Sequence, residues 1–139
     1  MTRDSYKPLT VTRTPDPGPR TPAVHAVPVR LESLTKRFGS FAAVDSVTLE
    51  IPAGKLITLL GPSGCGKTTT LRMIAGLEHP TGGRVWIGDE DVTALPASNR
   101  SVTMVFQSYA LFPHLTVFEN VAYGLRIARL GEPEITRQV

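Results

Sequence analysis

The chain has 139 residues, of which 41% are hydrophobic, and its formal net charge is +3. A chain of this length holds one domain or part of one, and its apolar share suffices for a core. The excess positive charge lies in residues 1–30, which carry five basic and two acidic residues, whereas residues 31–139 carry ten of each. This distribution argues against a basic face on the folded part, so we expect no nucleic-acid partner.

The sequence predicts neither a membrane span nor a secretion signal. No apolar run approaches the roughly 20 residues that a transmembrane helix needs, and the first residues lack the apolar stretch of a signal peptide. The single cysteine, Cys65, cannot form an internal disulfide, which fits a reducing compartment. We therefore expect the chain to lie in the cytoplasm, where it can still dock on a membrane protein.

Residues 1–27 differ in composition from the rest of the chain. They hold five prolines among Thr, Asp and Gly, and they show no apolar period. Such a composition predicts a proline-rich tail that is disordered or extended, for which a solvated extension and a partner-binding role both stay open. We expect the folded part to comprise residues 28–139.

Alternation of apolar and polar residues begins where the tail ends. Residues 29–34 and 46–51 alternate as half-buried antiparallel strands do. A turn at 52–54 precedes an apolar strand candidate at 55–60, and a second turn at 80–83 precedes another at 84–87. Residues 102–106 predict a short buried strand that ends at Gln107.

Residues 61–69 read GPSGCGKTT, which is a G-x-x-x-x-G-K-[ST] loop between the strand candidate and a helical pattern at 70–75. Glycines let the backbone turn tightly, so that successive N–H groups converge on the phosphates of ATP or GTP at a helix N-terminus. In such a loop the lysine supplies a mobile positive charge, the following hydroxyl binds Mg²⁺, and the next residue reaches the α-phosphate. The candidate nucleotide-binding residues are Gly61, Pro62, Ser63, Gly64, Cys65, Gly66, Lys67, Thr68 and Thr69.

Other candidate sites in the sequence are weaker than the phosphate loop. Residues 87–90 read IGDE, which resembles a strand ending in the acidic pair of a P-loop enzyme, but Gly88 interrupts the run and favours a hairpin turn. The three histidines are scattered without metal-ligand spacing. Residues 108–115 carry many large apolar side chains, and the sequence leaves open whether they form a partner surface or a buried core.

The C-terminal region predicts one helix. Thr116 and Glu119 fit a capping box that opens a helix to about Leu130. Its apolar positions fall on one side, which predicts a core-facing stripe; they are Val117, Val121, Leu125 and Ala128. Residues 131–133 have the sequence GEP, which predicts the end of the helix.

Taken together, several segments resemble in order and spacing the nucleotide-binding subunit of ATP-binding cassette (ABC) transporters, over about residues 29–130. The segments are KRFG at 36–39, AVD at 43–45, GPSGCGKTT at 61–69, MIAGLEHPTGGRV at 73–85 and VFQSYALFPHLTVFENVAYGLR at 105–126. The resemblance implies an α/β P-loop NTPase fold of the ABC ATPase type. In that fold an antiparallel β subdomain adjoins a parallel-sheet core, and this chain stops before the rest of the helical subdomain and the second half of the core.

The resemblance also implies roles for single residues. Phe38 stands where the family has an aromatic residue that stacks on adenine. Gln107 matches a glutamine that approaches Mg²⁺ and the water at the γ-phosphate, so Lys67 and Gln107 are the implied catalytic residues, and Thr68 and Gln107 the implied metal residues. The implied cofactors are ATP and Mg²⁺.

Partners and location follow from the same resemblance. The stretch from Ser108 to Leu115 corresponds to the segment that contacts the transmembrane permease subunits. A second copy of the subunit completes a dimer, and a solute-binding protein acts indirectly. The stretch is most similar to bacterial importers for sugars, polyamines, ferric iron, or sulfate-type and phosphonate-type anions, which places the protein peripherally on the cytoplasmic face of the membrane.

Three family motifs do not occur in the 139 residues: Leu-Ser-Gly-Gly-Gln, the Asp-Glu strand end with the catalytic base, and a later switch histidine. We therefore predict the N-terminal portion of an ATPase subunit that energises solute import, a portion inactive by itself. One alternative is a non-catalytic chain that binds nucleotide without turnover. A GTPase or small-molecule kinase is another, although the guanine motif Asn-Lys-x-Asp is missing, and an ABC protein outside transport is a third.

Overall fold

The structure, a computed structural model, describes residues 10–13 and 26–139, with side chains for the latter range. The chain divides into two compact units, Met1–Thr103 and Met104–Val139. The elements of the first unit are β1 (Thr10–Arg13), β2 (Val29–Phe38), β3 (Phe41–Ile51), β4 (Ile57–Leu60), α1 (Lys67–Ile74), β5 (Gly82–Ile87), β6 (Glu90–Asp91) and a 3-10 turn (Ala97–Asn99). The second unit holds α2 (Val117–Ile127) and α3 (Glu132–Gln138).

A four-stranded antiparallel sheet in the order β3-β2-β5-β6 dominates the first unit and confirms the predicted antiparallel subdomain. Strands β5 and β6 are joined by a two-residue turn, because Ile87 pairs with Glu90 and Gly88 adopts a φ of 60°. The hairpin predicted for residues 88–91 is thereby confirmed, and the acidic pair lies at the turn, with Asp89 in it and Glu90 at the start of β6, instead of at a buried strand end.

A bulge at Ser33 shapes the pairing of strands β2 and β3. Leu31 and Leu34 are both fully buried, although residues three apart on a regular strand face opposite sides. Between them Ser33 has a φ of 47° where the pairing register shifts, and its N–H donates to Oγ1 of Thr48 at 3.0 Å. A bulge inserts one residue and so turns both leucines toward the core, which simple alternation did not predict.

The core lies between this sheet and α1, which contacts β3. Met73 on α1 is fully buried and belongs to the same cluster as the inward side chains of the sheet. Complete burial of each such side chain stabilises the fold by about 1.5–3 kcal/mol. The buried cluster consists of Leu31, Leu34, Val44, Met73, Val85, Ile87 and Val92.

Strand β4, which leads into the phosphate loop, pairs antiparallel with β1, so that Thr10 lies opposite Leu60. The structure thus forms an extended, paired strand within the tail that was predicted to be disordered or extended, and residues 1–9 and 14–25 of this tail lie outside the described residues. All pairs among the described strands are antiparallel, so the parallel-sheet core implied by the resemblance has no counterpart among them. Within the described ranges, no helix has the length and apolar character to cross a membrane.

The strand predicted for residues 102–106 is not formed, and this prediction was wrong. The segment is irregular, and its residues alternate between half-buried and exposed. A strand needs a neighbour for its main-chain hydrogen bonds, and none of the described strands pairs with it. Val102 nevertheless packs against the core of the first unit.

The second unit also departs from the predicted pattern. The capping box is confirmed, because Thr116 Oγ1 accepts from the N–H of Glu119 and the Glu119 carboxylate accepts from the N–H of Thr116. The predicted core stripe is wrong, since Val117 is 84% and Val121 58% exposed, and the one buried residue of α2 is Ala122. Helix α2 ends at Ile127, and the segment at 131–133 starts α3 with Pro133 in its first turn.

Candidate functional site

The phosphate loop connects the end of β4 to the start of α1, and two of its glycines have left-handed backbone. Gly64 has a φ of 81° and Gly66 a φ of 89°. A Cβ atom on Gly66 would press on the carbonyl oxygen of Ala43 and lie 3.0 Å from Cγ2 of Val44, whereas one on Gly64 would meet open space. Position 66 therefore requires glycine for two independent reasons, backbone conformation and the close approach of β3.

Lys67 folds back over the loop that precedes it. Its Nζ donates to the carbonyl oxygens of Gly61 and Pro62, at 2.8 Å each, and lies 3.5 Å from Sγ of Cys65. The ammonium group thus sits among the loop's own oxygen atoms, where it holds the loop closed. Phosphate oxygens are charged acceptors and make stronger hydrogen bonds with an ammonium than neutral carbonyls do.

Helix α1 offers its positive end to the loop. No side chain of the described chain caps its N-terminus, and its first turn contains no acidic residue. Thr68 is exposed there and Thr69 half-buried. Since the first N–H groups of a helix have no partner within the helix, this end favours an anion.

The remaining loop residues contribute shape. Cys65 is buried and lies under Gly61, where an added Cβ would come within 2.5 Å of the thiol sulfur. Pro62 and Ser63 are exposed. The structure therefore places the nine predicted residues, 61–69, on the loop and on the first turn of α1.

Phe38 lies at the end of β2 with half of its surface exposed. The Nζ atom of Lys36 lies 5.0 Å from the centre of its ring, within cation–π distance. The same Nζ donates to the carbonyl oxygen of His79 at 2.7 Å and pairs with Glu78 at 2.6 Å, and this hydrogen bond lowers the pKa of the Glu78 carboxyl. Lys36 thus links the ring of Phe38 to the segment that follows α1. The exposed half of the ring stays accessible to another planar group.

Gln107 belongs to the second unit and is exposed in a turn over residues 107–110. Tyr109 and Ala110 of this turn have φ values of 58° and 50°, which are uncommon for residues other than glycine. Residues 108–114 are exposed, with Tyr109 at 76%. The buried-core interpretation of residues 108–115 is therefore wrong, and the exposed apolar groups favour a partner surface.

Arg100 was not among the predicted site residues, although it is buried and anchors α1. Its Nη1 donates to the carbonyl oxygens of Met73 and Ile74 at 2.7 and 2.9 Å, and its Nε donates to that of Leu95 at 2.9 Å. Burial lowers the pKa of its guanidinium from the ordinary value. The contact spans 26 and 27 positions of sequence, and no local pattern signals it.

The two residues predicted to hold a metal ion are considered one at a time, since each belongs to a different unit. The described residues contain no group of three or more His, Cys, Asp or Glu side chains that could hold a metal. Thr68, at the start of α1 in the first unit, has an exposed hydroxyl oxygen, and Gln107 of the second unit is exposed as well. Mg²⁺ accepts oxygen ligands of this kind beside phosphate oxygens and water.

The chain is similar to ATP-binding proteins of ABC transporters. The family described as ABC transporter matches residues 44–139. The chain is 62% identical over 106 residues to a protein named Fe(3+) ions import ATP-binding protein FbpC from Rhizobium etli, over 76% of this chain and 30% of that protein. It is 58% identical over 113 residues to a spermidine/putrescine import ATP-binding protein, PotA, from Rubrobacter xylanophilus, over 81% of this chain and 30% of that one.

Solved structures agree with these relatives. The dimeric post-hydrolysis state of the ATP-binding cassette MJ0796 bound to ADP and Pi is similar with a TM-score of 0.61 and 28% identity. The likeness covers 78% of this chain and 53% of that one. The chain thus spans 30% of the length of the two import proteins and about half of the compared cassette.

Proposed function

Because the chain belongs to the ABC transporter family, we propose that it is the N-terminal part of an ATP-hydrolysing subunit that energises solute import. The observation that carries this proposal is the closed phosphate loop, with the ammonium of Lys67 on the carbonyls of Gly61 and Pro62 at an uncapped helix end. Two relatives named as import ATP-binding proteins support the direction of transport.

In this proposal the loop's own groups bind the triphosphate of ATP. The phosphate oxygens would replace the two carbonyl oxygens as acceptors for Lys67, and the N–H groups at the start of α1 would donate to them. Thr69 would reach the α-phosphate through its hydroxyl or its N–H. Lys67 and these N–H groups then stabilise the negative charge that develops on the transferred phosphoryl group.

Thr68 and Gln107 would hold Mg²⁺ together with phosphate oxygens. The ion, when bound, neutralises part of the charge on the β- and γ-phosphates. Gln107 would orient the water that attacks the γ-phosphate. The exposed face of Phe38 would stack on adenine, and phenylalanine supplies the ring without a tyrosine hydroxyl.

The exposed apolar turn at residues 108–115 would contact the permease subunits, and a second copy of the subunit would complete the ATP site. The whole protein would then lie on the cytoplasmic face of the membrane, with a solute-binding protein acting on the other side. Two relatives of similar identity carry different solutes in their names, ferric ion and polyamine. We therefore propose import as the function and name no particular solute.

A second candidate is a chain that binds nucleotide without turnover. It is favoured by the absence of Leu-Ser-Gly-Gly-Gln and of the Asp-Glu strand end from the 139 residues. Family membership argues against the GTPase and kinase alternatives. We expect the 139 residues alone to bind ATP and release no phosphate, and the full-length subunit to hydrolyse it.

The experiment is a titration of a fluorescent ATP analogue with Mg²⁺ into the 139-residue chain and its Lys67→Ala variant. We expect the variant to bind at least about tenfold more weakly, because it lacks the ammonium that contacts phosphate, a loss of about 1.4 kcal/mol. Arg72→Ala is the matched control, since it removes the same charge from the far end of α1. Equal affinity of the Lys67→Ala variant and the wild type, or tighter binding of GTP than ATP, would contradict the proposal.

A further inference from the structure

One side chain of α2, Asn120, is bonded to the main chain of the loop that precedes the helix. Its Oδ1 accepts a hydrogen bond from the N–H of Phe112 at 2.9 Å. Its Nδ2 donates to the carbonyl oxygens of Phe112, Leu115 and Thr116, at 3.2, 3.1 and 2.9 Å. The amide thus uses both its donor and its acceptor side on residues 112–116.

The start of α2 also has hydrogen bonds of its own. The capping box of Thr116 and Glu119 closes the first turn through its own hydrogen bonds. Asn120 lies one position further along the helix and reaches backward over the loop. Its hydrogen bonds therefore act on the shape of residues 112–116, while the cap acts on the helix.

Aromatic contacts show which part of the loop is held. The ring of Phe112 lies 4.7 Å from that of Tyr123 and 6.0 Å from that of His114, measured between centroids. Because Asn120 bonds both the N–H and the carbonyl of Phe112, it fixes the main chain from which this ring projects. The exposed residue Leu111 precedes this fixed point directly.

We propose that Asn120 is a positioning residue for the permease-binding turn, which it holds in the shape that presents Tyr109 and Leu111 to the partner. The inference rests on the proposed role of residues 108–115. Binding an ordered segment saves the entropy of ordering it, so a turn held in advance binds more tightly than a mobile one. An amide is required, because its two sides must donate and accept at once.

The test compares Asn120→Asp with the wild type in the full-length protein. Aspartate keeps the shape and an acceptor oxygen, but it loses the Nδ2 donor and sets a carboxylate against three carbonyl oxygens. Asn99→Asp is the matched control, because it makes the same change at an exposed residue of the first unit. The probe is a preparation of inverted membrane vesicles from the source cells, stripped of peripheral proteins with urea.

Three quantities are measured: co-sedimentation with the vesicles, hydrogen exchange of the Phe112 amide, and affinity for the fluorescent ATP analogue. For Asn120→Asp we expect vesicle affinity to fall about tenfold, corresponding to about 1.4 kcal/mol. The Phe112 amide should exchange faster, because repulsion between the carboxylate and the carbonyl oxygens of Phe112 and Leu115 moves the loop away from the acceptor oxygen that remains. ATP affinity should stay within about twofold of wild type, since the phosphate loop is untouched. Asn99→Asp should match the wild type in all three.

The outcomes separate this inference from the proposed function. If the wild type binds the vesicles saturably and Asn120→Asp binds them equally well, the positioning role is overturned. It is also overturned if Asn120→Asp loses affinity for the ATP analogue together with vesicle affinity, because that would indicate general unfolding. An unchanged exchange rate at Phe112 also overturns it. Failure of the wild type itself to bind vesicles contradicts the permease contact, whereas failure to bind ATP contradicts the nucleotide site.

Discussion

Arg100 donates from Nη1 to the carbonyl oxygen of Met73, at 2.7 Å, across the C-terminal end of the helix that begins in the phosphate loop. Met73 is also fully buried in the core beneath the antiparallel sheet. The helix is therefore held at one end by a buried cation on its carbonyl groups, which is the sign of charge that a helix C-terminus favours. Its other end stays open for an anion.

Replacing Arg100 by methionine should destabilise the first unit strongly. The change leaves carbonyl groups at the end of α1 without their charged donor, and we expect a loss of about 2–4 kcal/mol in the free energy of unfolding. Urea denaturation measures it. Arg37→Met is the control because that side chain is exposed, and equal losses in both variants would refute the anchoring role.

Two glycine substitutions separate backbone strain from steric conflict. Gly64→Ala should lose about 1–2 kcal/mol of stability through left-handed backbone alone. Gly66→Ala should lose more, since its methyl group would also collide with Ala43, and it should abolish binding of the ATP analogue. Thermal unfolding and the ATP titration check both. If both variants lost the same stability, the close contact between Gly66 and Ala43 would not contribute to the cost of the Gly66→Ala substitution.

The capping box should make α2 sensitive to acid. Hydrogen bonds from Thr116, first from its N–H and then from its hydroxyl, lower the pKa of the Glu119 carboxyl below its ordinary value. A carboxyl whose pKa is lower in the folded state contributes stability above its unfolded pKa of about 4.3 and loses that contribution as pH falls through the folded value. We expect the N–H chemical shift of Thr116 to follow this transition.

Glu119→Gln is the control for that titration, because it retains an oxygen acceptor and cannot ionise. The variant's Thr116 resonance should not move over the same acidic range. A titration that persisted unchanged in Glu119→Gln would assign the effect to another group. His114 also acts on the Glu119 carboxyl through its charge, so His114→Gln should move the midpoint slightly upward.

Alkylation of Cys65 should block the nucleotide site. The thiol is buried under Gly61 and within 3.5 Å of the Lys67 ammonium, so an adduct cannot be placed there while the loop stays closed. N-Ethylmaleimide should abolish binding of the ATP analogue, and bound ATP should slow the reaction. Cys65→Ala should bind ATP and resist the reagent. Full affinity after stoichiometric modification would contradict the closed loop.

Local signals made most of the site predictable from sequence. The strand, loop and helix around residues 61–69, the hairpin at 88–91 and the capping box each depend on residues close together in the chain, and the structure forms all three. Nucleotide binding by residues 61–69 stays a prediction. The bulge at Ser33 and the anchor at Arg100 escaped prediction because both depend on partners far away in sequence. The strand expected at 102–106 failed for the same reason, since strand formation needs a neighbour as well as propensity.

The pairing of β4 with β1 has a consequence for solubility. Strand β4 reads ITLL and carries no charge, and among the described strands only β1 covers one of its two edges. Uncharged strands with open edges pair readily with other chains, and natural proteins shield them. The segment Thr10–Arg13 is such a shield for the edge that it covers, so removing the N-terminal tail would expose that edge of the strand that leads into the phosphate loop and promote aggregation.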